Sequence, residues 1–324
     1  MSDLIIPGFA KRFFYKHHSN PYSQDLNKKL FDKVILRPQI ENLWTTYKNE
    51  KLRIDEREYA KDLAIRLNLN RSQNPKMRAG QLVQMCCDLL LGIDGKEPIT
   101  IAELADILHA DDQFANWKPR TYQEALIESD IASITEYKDS IIDTAIQATE
   151  ALKEVMREDN FIIGEEHIVG YLPHNKIPHY TIPDYGRRGD LKTKWKTYST
   201  STKSNFRSVS LPKNLSGQFD MANVYQVSAW WHLNGHRPPF LVYANSSDAK
   251  IFTQENCDEL KDEFLKECVS KISRKHKYTE SLLRAAENID HLFELVEPPD
   301  FKNFVWKDLQ PEVINLAKQI WSLE

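Results

Sequence analysis

The amino-acid sequence predicts an α/β (α+β) protein in which a mixed central sheet is flanked by helices, with helical N- and C-terminal extensions. Two observations lead to this fold class. Six of the 10 glycines lie between positions 164 and 235, and none follows Gly235. Glycine is costly inside helices and useful at tight turns, so this segment should be rich in strands and turns. Before it, apolar residues recur at three- and four-residue spacing, as in Tyr59, Leu63 and Leu67.

The N-terminal part is predicted to be helical. Lys76 to Leu91 forms the strongest helical pattern, and Gly92 is a suitable helix stop. The segment between positions 70 and 75 has the composition of a loop. The predicted helices cover residues 24–48, 52–68, 76–91, 101–109 and 133–158.

The central part changes to β-branched and aromatic runs after Asn160. A Ser/Thr/Lys-rich loop is expected over residues 197–217, and the chain is expected to be helical again after Asn256. Strands are predicted over 161–172, 179–185, 190–195, 240–244 and 250–253, with a helix over 221–233. The predicted domains are a helical extension over 1–75, a core over 76–253, and a helical extension over 254–324 packed on that core.

Composition excludes several classes of protein. The chain has 324 residues and a net charge of -4, which excludes a wholly basic coating protein but leaves room for a local basic site. No apolar run approaches the roughly 18 residues of a membrane span, and the N-terminus does not have the pattern of a signal peptide. Four cysteines without a C-x-x-C pair indicate reduced thiols and no structural zinc. We therefore expect a cytoplasmic protein.

The residues that could carry chemistry surround the predicted turn Gly186–Gly189. If the strands beside this turn form a hairpin, a register with Asp184 opposite Lys192 also puts Asp190 on that face, because side chains alternate with a period of two. Two carboxylates and an amine then meet at one point. Carboxylates suit Mg²⁺, which can polarise a phosphate and activate water, and a lysine can stabilise the developing charge.

The pattern leaves alternatives open. A register shifted by one residue puts Leu191 opposite Asp184 and separates the charges. The triplet from Asp190 to Lys192 is also what an ordinary cross-strand salt bridge would contain. The sequence has no Walker lysine motif, no G-x-G-x-x-G and no H-E-x-x-H, so nucleotide, dinucleotide and zincin functions have no support.

The neighbourhood of these residues resembles the PD-(D/E)XK nuclease superfamily. Asp184 matches the first motif acid, and the residues from Asp190 to Lys192 match the D-x-K motif. Gln226, with Trp230 four residues later, is similar to the Gln-x-x-x-Tyr motif of the lambda-exonuclease/RecB-like branch. The resemblance covers residues 76–253 and is closest to phage-encoded exonucleases.

This resemblance implies a PD-(D/E)XK restriction-endonuclease-like core with Mg²⁺ or Mn²⁺ as cofactor. Lys192 would activate water or steady the phosphate, and Gln226 would position Lys192 or the phosphate. Gln84 stands where the family helix has Gly-x-x-x-His, four residues after Gly80. The implied metal ligands are Asp184, Asp190, the carbonyl of Leu191, Gln84, Glu165 and Glu166.

The resemblance also implies DNA exonuclease activity in phage or bacterial recombination, repair or degradation, in the host cytoplasm if the protein is phage-encoded. Partners would be DNA and a single-strand-annealing or other recombination protein, and a ring-like homo-oligomer and a monomer both stay open. The short spacing between Asp184 and Asp190, and Gln84 in place of histidine, leave room for a weakened site. The alternatives are a structure-specific endonuclease and a catalytically inactive DNA-binding relative.

A basic segment adds to this hypothesis. From Gly186 to Lys213 there are eight Lys or Arg residues and one acid, Asp190, with aromatic residues interleaved. Such a segment suits a polyanion whose bases can be stacked, although a solvated loop would have the same composition. The predicted DNA-contacting residues are Arg78, Arg187, Arg188, Lys194, Trp195, Lys196, Lys203 and Trp230.

Overall fold

The computed structural model describes residues 17–18, 26–72, 75–109, 138–157, 164–195, 210–307 and 309–323. Within these ranges the chain is a mixed α and β protein, which confirms the predicted class at that level. The described strands form two three-stranded sheets, and the other regular elements are helices. None of the described helices has the length and apolar character needed to cross a membrane.

The N-terminal helices match the predicted positions closely. A π-helical stretch, Phe31–Leu36, joins the first two of them, and the Arg37 N–H donates to the Asp32 carbonyl five residues earlier. Pro38, which has no N–H to donate, follows directly in the second helix. The helices before the sheets are α1 (Leu26–Leu30), α2 (Arg37–Lys48), α3 (Ile54–Ser72), α4 (Pro75–Leu91), α5 (Ile101–His109) and α6 (Lys138–Val155). The later helices are α7 (Gln218–Leu233), α8 (Asp262–Ala285), α9 (Ile289–Leu295), α10 (Phe304–Lys307) and α11 (Pro311–Ile320).

The strands form two separate sheets. The first has the order β1-β3-β2, with β1 (His17–His18) parallel and β2 (Ile168–Gly170) antiparallel to β3 (His179–Thr181). The second has the order β4-β5-β6, with β4 (Gly189–Thr193) parallel to β5 (Phe240–Ala244), which is antiparallel to β6 (Ala249–Thr253).

Two predicted strands are shorter in the structure. The described part of the first is confined to β2, and the second ends at Thr181 because Pro183 has no N–H with which to continue the ladder. The prediction that the second and third strands form one hairpin is wrong, since β3 and β4 belong to different sheets. A single antiparallel bridge, Tyr185 with Gly189, is what remains of that hairpin.

Strand β5 lies at the centre of the core and is buried along its whole length. Phe240, Val242 and Ala244 pack in one hydrophobic cluster with α4 and α6. Leu241 and Tyr243 pack on the other face with α7 and α8. A strand covered on both faces has a continuous apolar sequence, which explains why Phe240–Ala244 is recognisable from the sequence.

The two ends of the chain pack against each other. A third hydrophobic cluster joins Phe31, Trp44 and Leu67 from the N-terminal helices with Trp306 and Val313 near the C-terminus. The Trp306 ring lies 5.5 Å from the ring of Phe31 in a tilted contact. The predicted N- and C-terminal extensions therefore share one core. Helix α8, which falls in the predicted C-terminal extension, packs on the central sheet.

Gly189 allows β4 and β5 to pair closely. It is paired with Phe240, and a Cβ atom at position 189 would lie 1.9 Å from Cζ of the Phe240 ring. Any side chain larger than hydrogen must therefore displace this ring.

We expect Gly189→Ala to lower the free energy of unfolding by about 1–3 kcal/mol, because overpacking forces the neighbouring ring out of its position. Urea unfolding of the wild type and the variant measures this loss. The double variant Gly189→Ala/Phe240→Leu makes room for the methyl group and should lose less than the sum of the two single changes. Strictly additive losses would contradict the contact.

Candidate active site

A tight turn between Tyr185 and Arg188 brings Asp184 beside β4. The central turn residues Gly186 and Arg187 have φ of 56° and 62°, the positive values that a type I′ turn requires. The Arg188 N–H donates to the Tyr185 carbonyl at 3.0 Å, and the Asp184 N–H donates to the Gly189 carbonyl at 2.9 Å. The turn therefore fixes Asp184 immediately beside the start of β4.

Strand β4 uses one edge for β5 and the other for Asp184. The N–H of Phe240 donates to the Arg188 carbonyl at 3.0 Å, and the N–H of Lys194 donates to the Ala244 carbonyl at 2.8 Å. Even-numbered residues of β4 therefore bond to β5, and odd-numbered residues present their backbone groups to the opposite edge. There the Leu191 N–H donates to Oδ2 of Asp184 at 2.9 Å. The carbonyl of Leu191 lies on the same edge.

The predicted register at this turn is wrong, although the predicted residues still meet. Continuing the bridge between Tyr185 and Gly189 by one residue puts Asp184 opposite Asp190, not Lys192. The Asp184 carboxyl nevertheless interacts with both Asp190 and Lys192. Lys192 lies two residues beyond Asp190 and therefore shares its face of β4, beside Asp184.

The face of β4 that looks toward α7 carries Asp190 and Lys192. The Lys192 ammonium forms an ion pair with the Asp190 carboxylate and donates to Oε1 of Gln226 at 3.4 Å. The Asp190 side chain is 2% exposed, whereas that of Lys192 is 24% exposed. The lysine is therefore the member of this pair whose side chain is partly exposed.

The electrostatics of the site reflect two carboxylates in a buried position. Burial raises the pKa of the Asp184 carboxyl well above its usual range, and the adjacent Asp190 raises it further. Burial lowers the pKa of the Lys192 amine, but the carboxylates of Asp190 and Asp184 outweigh burial, so that the pKa is raised above its ordinary value. Lys192 thus keeps its charge, while Asp184 favours the protonated form.

Helix α7 faces the sheet with a polar stripe, of which the sequence pattern indicated only Gln226. One and two helical turns earlier, Asn223 donates to the Tyr243 hydroxyl at 2.7 Å, and Asp220 pairs with Lys194 at 3.3 Å. The spacing of three residues from Asp220 to Asn223 to Gln226 could have revealed this stripe. It fixes α7 on the face of β4 that holds Lys192.

The remaining predicted metal ligands lie in a second group. The side-chain amide of Gln84 donates to Oε1 of Glu165 at 3.1 Å, and Glu166 pairs with Arg187. Gly80 lets α4 approach the sheet, since a Cβ there would lie 2.8 Å from Oγ1 of Thr193. The structure therefore brings Gln84 and Glu165 together, but among the described residues neither side chain forms a hydrogen bond with the aspartates at β4.

Asp88 joins this second group and was missed from the sequence. It follows Gln84 by one turn of α4, so both lie on one face of the helix. Burial raises the pKa of Asp88 to about 6; the nearby Tyr185 hydroxyl lowers it in part, and the Glu165 charge raises it. The i, i+4 spacing from Gln84 was the sequence feature that could have identified Asp88.

The predicted DNA-contacting residues differ in their surroundings. The Arg187 side chain is 45% exposed although it pairs with Glu166. Arg188 donates to the Val155 carbonyl at 3.5 Å and lies over the Phe240 ring, so it is engaged in internal packing. Lys194 lies over the Tyr243 ring at 5.1 Å and is 30% exposed.

Two aromatic residues that were predicted to contact DNA are buried in the structure. Trp195 is 7% exposed and belongs to the core between the sheet and α4, and its indole N–H donates to Oγ1 of Thr193 at 3.0 Å. Trp230 is fully buried between α7 and α8. Neither ring can stack on a base, because both are packed inside hydrophobic clusters. Lys196, Lys203 and the side chain of Arg78 lie outside the described residues.

The donor set suits a hard cation better than a soft one. Asp184 and Asp190 offer carboxylate oxygens, and Leu191 offers a carbonyl oxygen on the same edge of β4. In the described part of the chain, no group of three or more His, Cys, Asp or Glu side chains is arranged as a metal site. Asp184 and Asp190 therefore form a group of two carboxylates rather than three or more.

Known proteins provide no match for this chain. No family model, no curated protein and no solved structure matches the chain. The side chains and contacts described above are therefore the basis for a functional proposal.

We expect Asp184→Asn to raise the free energy of unfolding at neutral pH in the absence of divalent ions. A carboxyl with a raised pKa binds more protons in the folded than in the unfolded state. Its presence therefore reduces stability as the pH rises from the unfolded to the folded pKa, by at most about 1.4 kcal/mol per pH unit. Asparagine does not titrate and can still accept from the Leu191 N–H.

Urea unfolding of the wild type and Asp184→Asn in EDTA, over a pH series, tests this expectation. The difference should shrink as the pH falls toward about 4, the ordinary carboxyl pKa. A difference in unfolding free energy that does not change with pH would contradict a raised pKa for Asp184.

Proposed function

We propose that this chain is a Mg²⁺- or Mn²⁺-dependent deoxyribonuclease of the PD-(D/E)XK type. It would hydrolyse phosphodiester bonds from DNA ends in phage or bacterial recombination, repair or degradation. The observation that carries the proposal is the meeting of Asp184, Asp190 and Lys192 at the start of one strand, with Gln226 opposite on α7.

The arrangement of the elements supports the same proposal. A parallel pair, β4 and β5, is joined through α7, and β6 returns antiparallel to β5. Helices α4 and α6 cover the other face of the sheet. The sequence resemblance implies a mixed sheet of this kind between helices, with the D-x-K motif on the strand that precedes the glutamine helix.

The two aspartates provide a reason for a metal at this point. Two carboxylates that share a buried position repel each other when both are ionised, and a divalent cation relieves that repulsion. The ion would be held by the carboxylates of Asp184 and Asp190 and by the carbonyl of Leu191. When bound, it supplies positive charge that polarises phosphate oxygens and lowers the pKa of a coordinated water.

Lys192 and Gln226 would act on the phosphate and the water. The ammonium of Lys192 stays charged and its side chain is partly exposed, so it can stabilise negative charge that develops on a phosphate oxygen. Gln226 accepts one hydrogen bond from this ammonium and holds it toward the site. Asp190 holds the same ammonium from the strand side.

A catalytically inactive DNA-binding relative is the second candidate, and one observation favours it. The amide of Gln84 donates to Glu165, and neither side chain forms a hydrogen bond with Asp184 or Asp190 among the described residues. The metal would then be held from one side only, by the ligands near β4. A Mn²⁺-dependent thermal shift would distinguish the two candidates, because an inactive relative should show none.

Removing a metal ligand or the positive charge beside it should lower the rate of DNA hydrolysis by on the order of 100-fold or more. The three substitutions that do so are Asp184→Asn, Asp190→Asn and Lys192→Ala. Digestion of end-labelled linear DNA with Mg²⁺, with Mn²⁺ and with EDTA measures the loss. The exposed Asp258→Asn serves as a control that removes a carboxylate elsewhere.

Folded Asp190→Asn that digests DNA at the wild-type rate would refute the assignment. Covalently closed circular DNA separates the exonuclease from an endonuclease, since an exonuclease needs an end. Because Asp184→Asn should be more stable than the wild type without metal, loss of its activity would not be a loss of fold.

A second test concerns DNA binding by Lys194, Lys196 and Lys203. If all three contact phosphates, replacing them with glutamine should lower the slope of log affinity against log salt by about 2 to 3, at roughly 0.7–0.9 per contact. Binding to single- and double-stranded DNA across a salt series measures the slope. The triple change of Lys153, Lys261 and Lys271 to glutamine removes the same charge from exposed positions. Equal slopes in both variants would make the basic segment an ordinary solvated surface.

A further inference from the structure

A cavity of about 530 Å³ lies between the C-terminal end of α7, one face of α8 and the loop at Pro173 and His174. It shares no lining residue with the site around Asp184 and Lys192. Its volume is in the range of pockets that hold small organic ligands, about 300–1,000 Å³. The cavity therefore needs an explanation of its own.

Three cationic side chains from α8 line this cavity: Lys266, Arg274 and Lys277. Among the described residues none of the three forms an ion pair, although other cations of the same region do. Lys271, on the same helix, pairs with Glu267 at 2.8 Å and does not line the cavity. Positive charge without an acidic partner is thus concentrated on the side of α8 that faces the cavity.

Two buried hydrogen-bond donors also belong to the cavity wall. Ser273 is 5% exposed and Trp231 is 1% exposed, and both line the cavity. Neither the Ser273 hydroxyl nor the Trp231 indole N–H has a hydrogen-bond partner among the described residues. Buried donors without an acceptor are rare in folded proteins and each costs about 1–3 kcal/mol. A ligand rich in acceptors would satisfy either donor if that side chain turned into the cavity.

Histidines complete the lining. His174 and His236 have φ of 64° and 63°, a left-handed conformation that is uncommon for residues other than glycine. Strained backbone of this kind tends to occur where side chains are held for binding. The His236 ring also lies 4.3 Å from the Trp231 ring, which gives one side of the cavity an aromatic surface.

We propose that this cavity binds a small phosphate ester. A phosphate group has enough acceptor oxygens for the Arg274 fork, the two lysines and the buried donors, and its charge requires the cations that no acid neutralises. The aromatic wall suits a ring-bearing body attached to the phosphate. This binding goes beyond the proposed nuclease activity and does not depend on it.

Isothermal titration of the full-length protein with inorganic phosphate and with adenosine 5′-monophosphate tests the proposal, at ionic strength held constant with sodium chloride. Adenosine has the same ring system without the phosphate. Both phosphates should bind to the wild type, and adenosine should not. Arg274→Gln should weaken binding at least about tenfold, the effect of losing one charge-assisted hydrogen bond. Lys271→Gln is the matched control on the same helix and should bind as the wild type does.

Three outcomes would overturn the proposal: no binding of either phosphate to the wild type, equal binding of adenosine, or equal weakening by Lys271→Gln. Ser273→Ala provides a second variant in case Arg274→Gln unfolds. It removes a single oxygen and should weaken both phosphates in the same order. Unchanged affinity in folded Arg274→Gln and Ser273→Ala would likewise exclude this cavity as the binding site.

Discussion

The ion pair between Asp190 and Lys192 is the interaction on which the arrangement of the central sheet depends. A carboxylate that is 2% exposed is too costly to bury unless a positive charge and hydrogen bonds compensate it. Lys192 supplies that charge from the same strand, and Gln226 fixes the amine from α7. The position of α7 over β4 is therefore set by electrostatics as well as by the apolar packing of β5.

The turn at Gly186 and Arg187 adds a second carboxyl to this buried charge. Asp184 is held by the Leu191 N–H at the edge of β4 that β5 does not use. The fold thereby places two acids side by side at a loss of stability, which its apolar core has to offset. A hard cation, as proposed above, would relieve the repulsion between these two oxygen-donating groups.

Helix α7 connects two regions of different chemistry. Its stripe of Asp220, Asn223 and Gln226 faces the polar side of the sheet, whereas its C-terminal end contributes Trp231 to the cavity beside α8. The charges around these regions also differ. Near the turn, Arg187 pairs with Glu166 and Lys194 with Asp220, while the cations at the cavity have no acidic partner in the described part of the chain. Basic residues that look alike in the sequence therefore differ in whether a neighbouring acid neutralises their charge.

The sequence by itself determined the kinds of elements and the set of residues around Asp184. Helical period, glycine placement and the apolar run Phe240–Ala244 are local features, and the D-x-K spacing is local too. Only the tertiary structure decided the register at the turn and the pairing of Gln84 with Glu165, 81 residues apart. It also decided that Trp195 is buried and that a cavity forms beside α8. The physical reason is that burial and side-chain pairing depend on which distant elements pack together, and no local pattern in the chain specifies those partners.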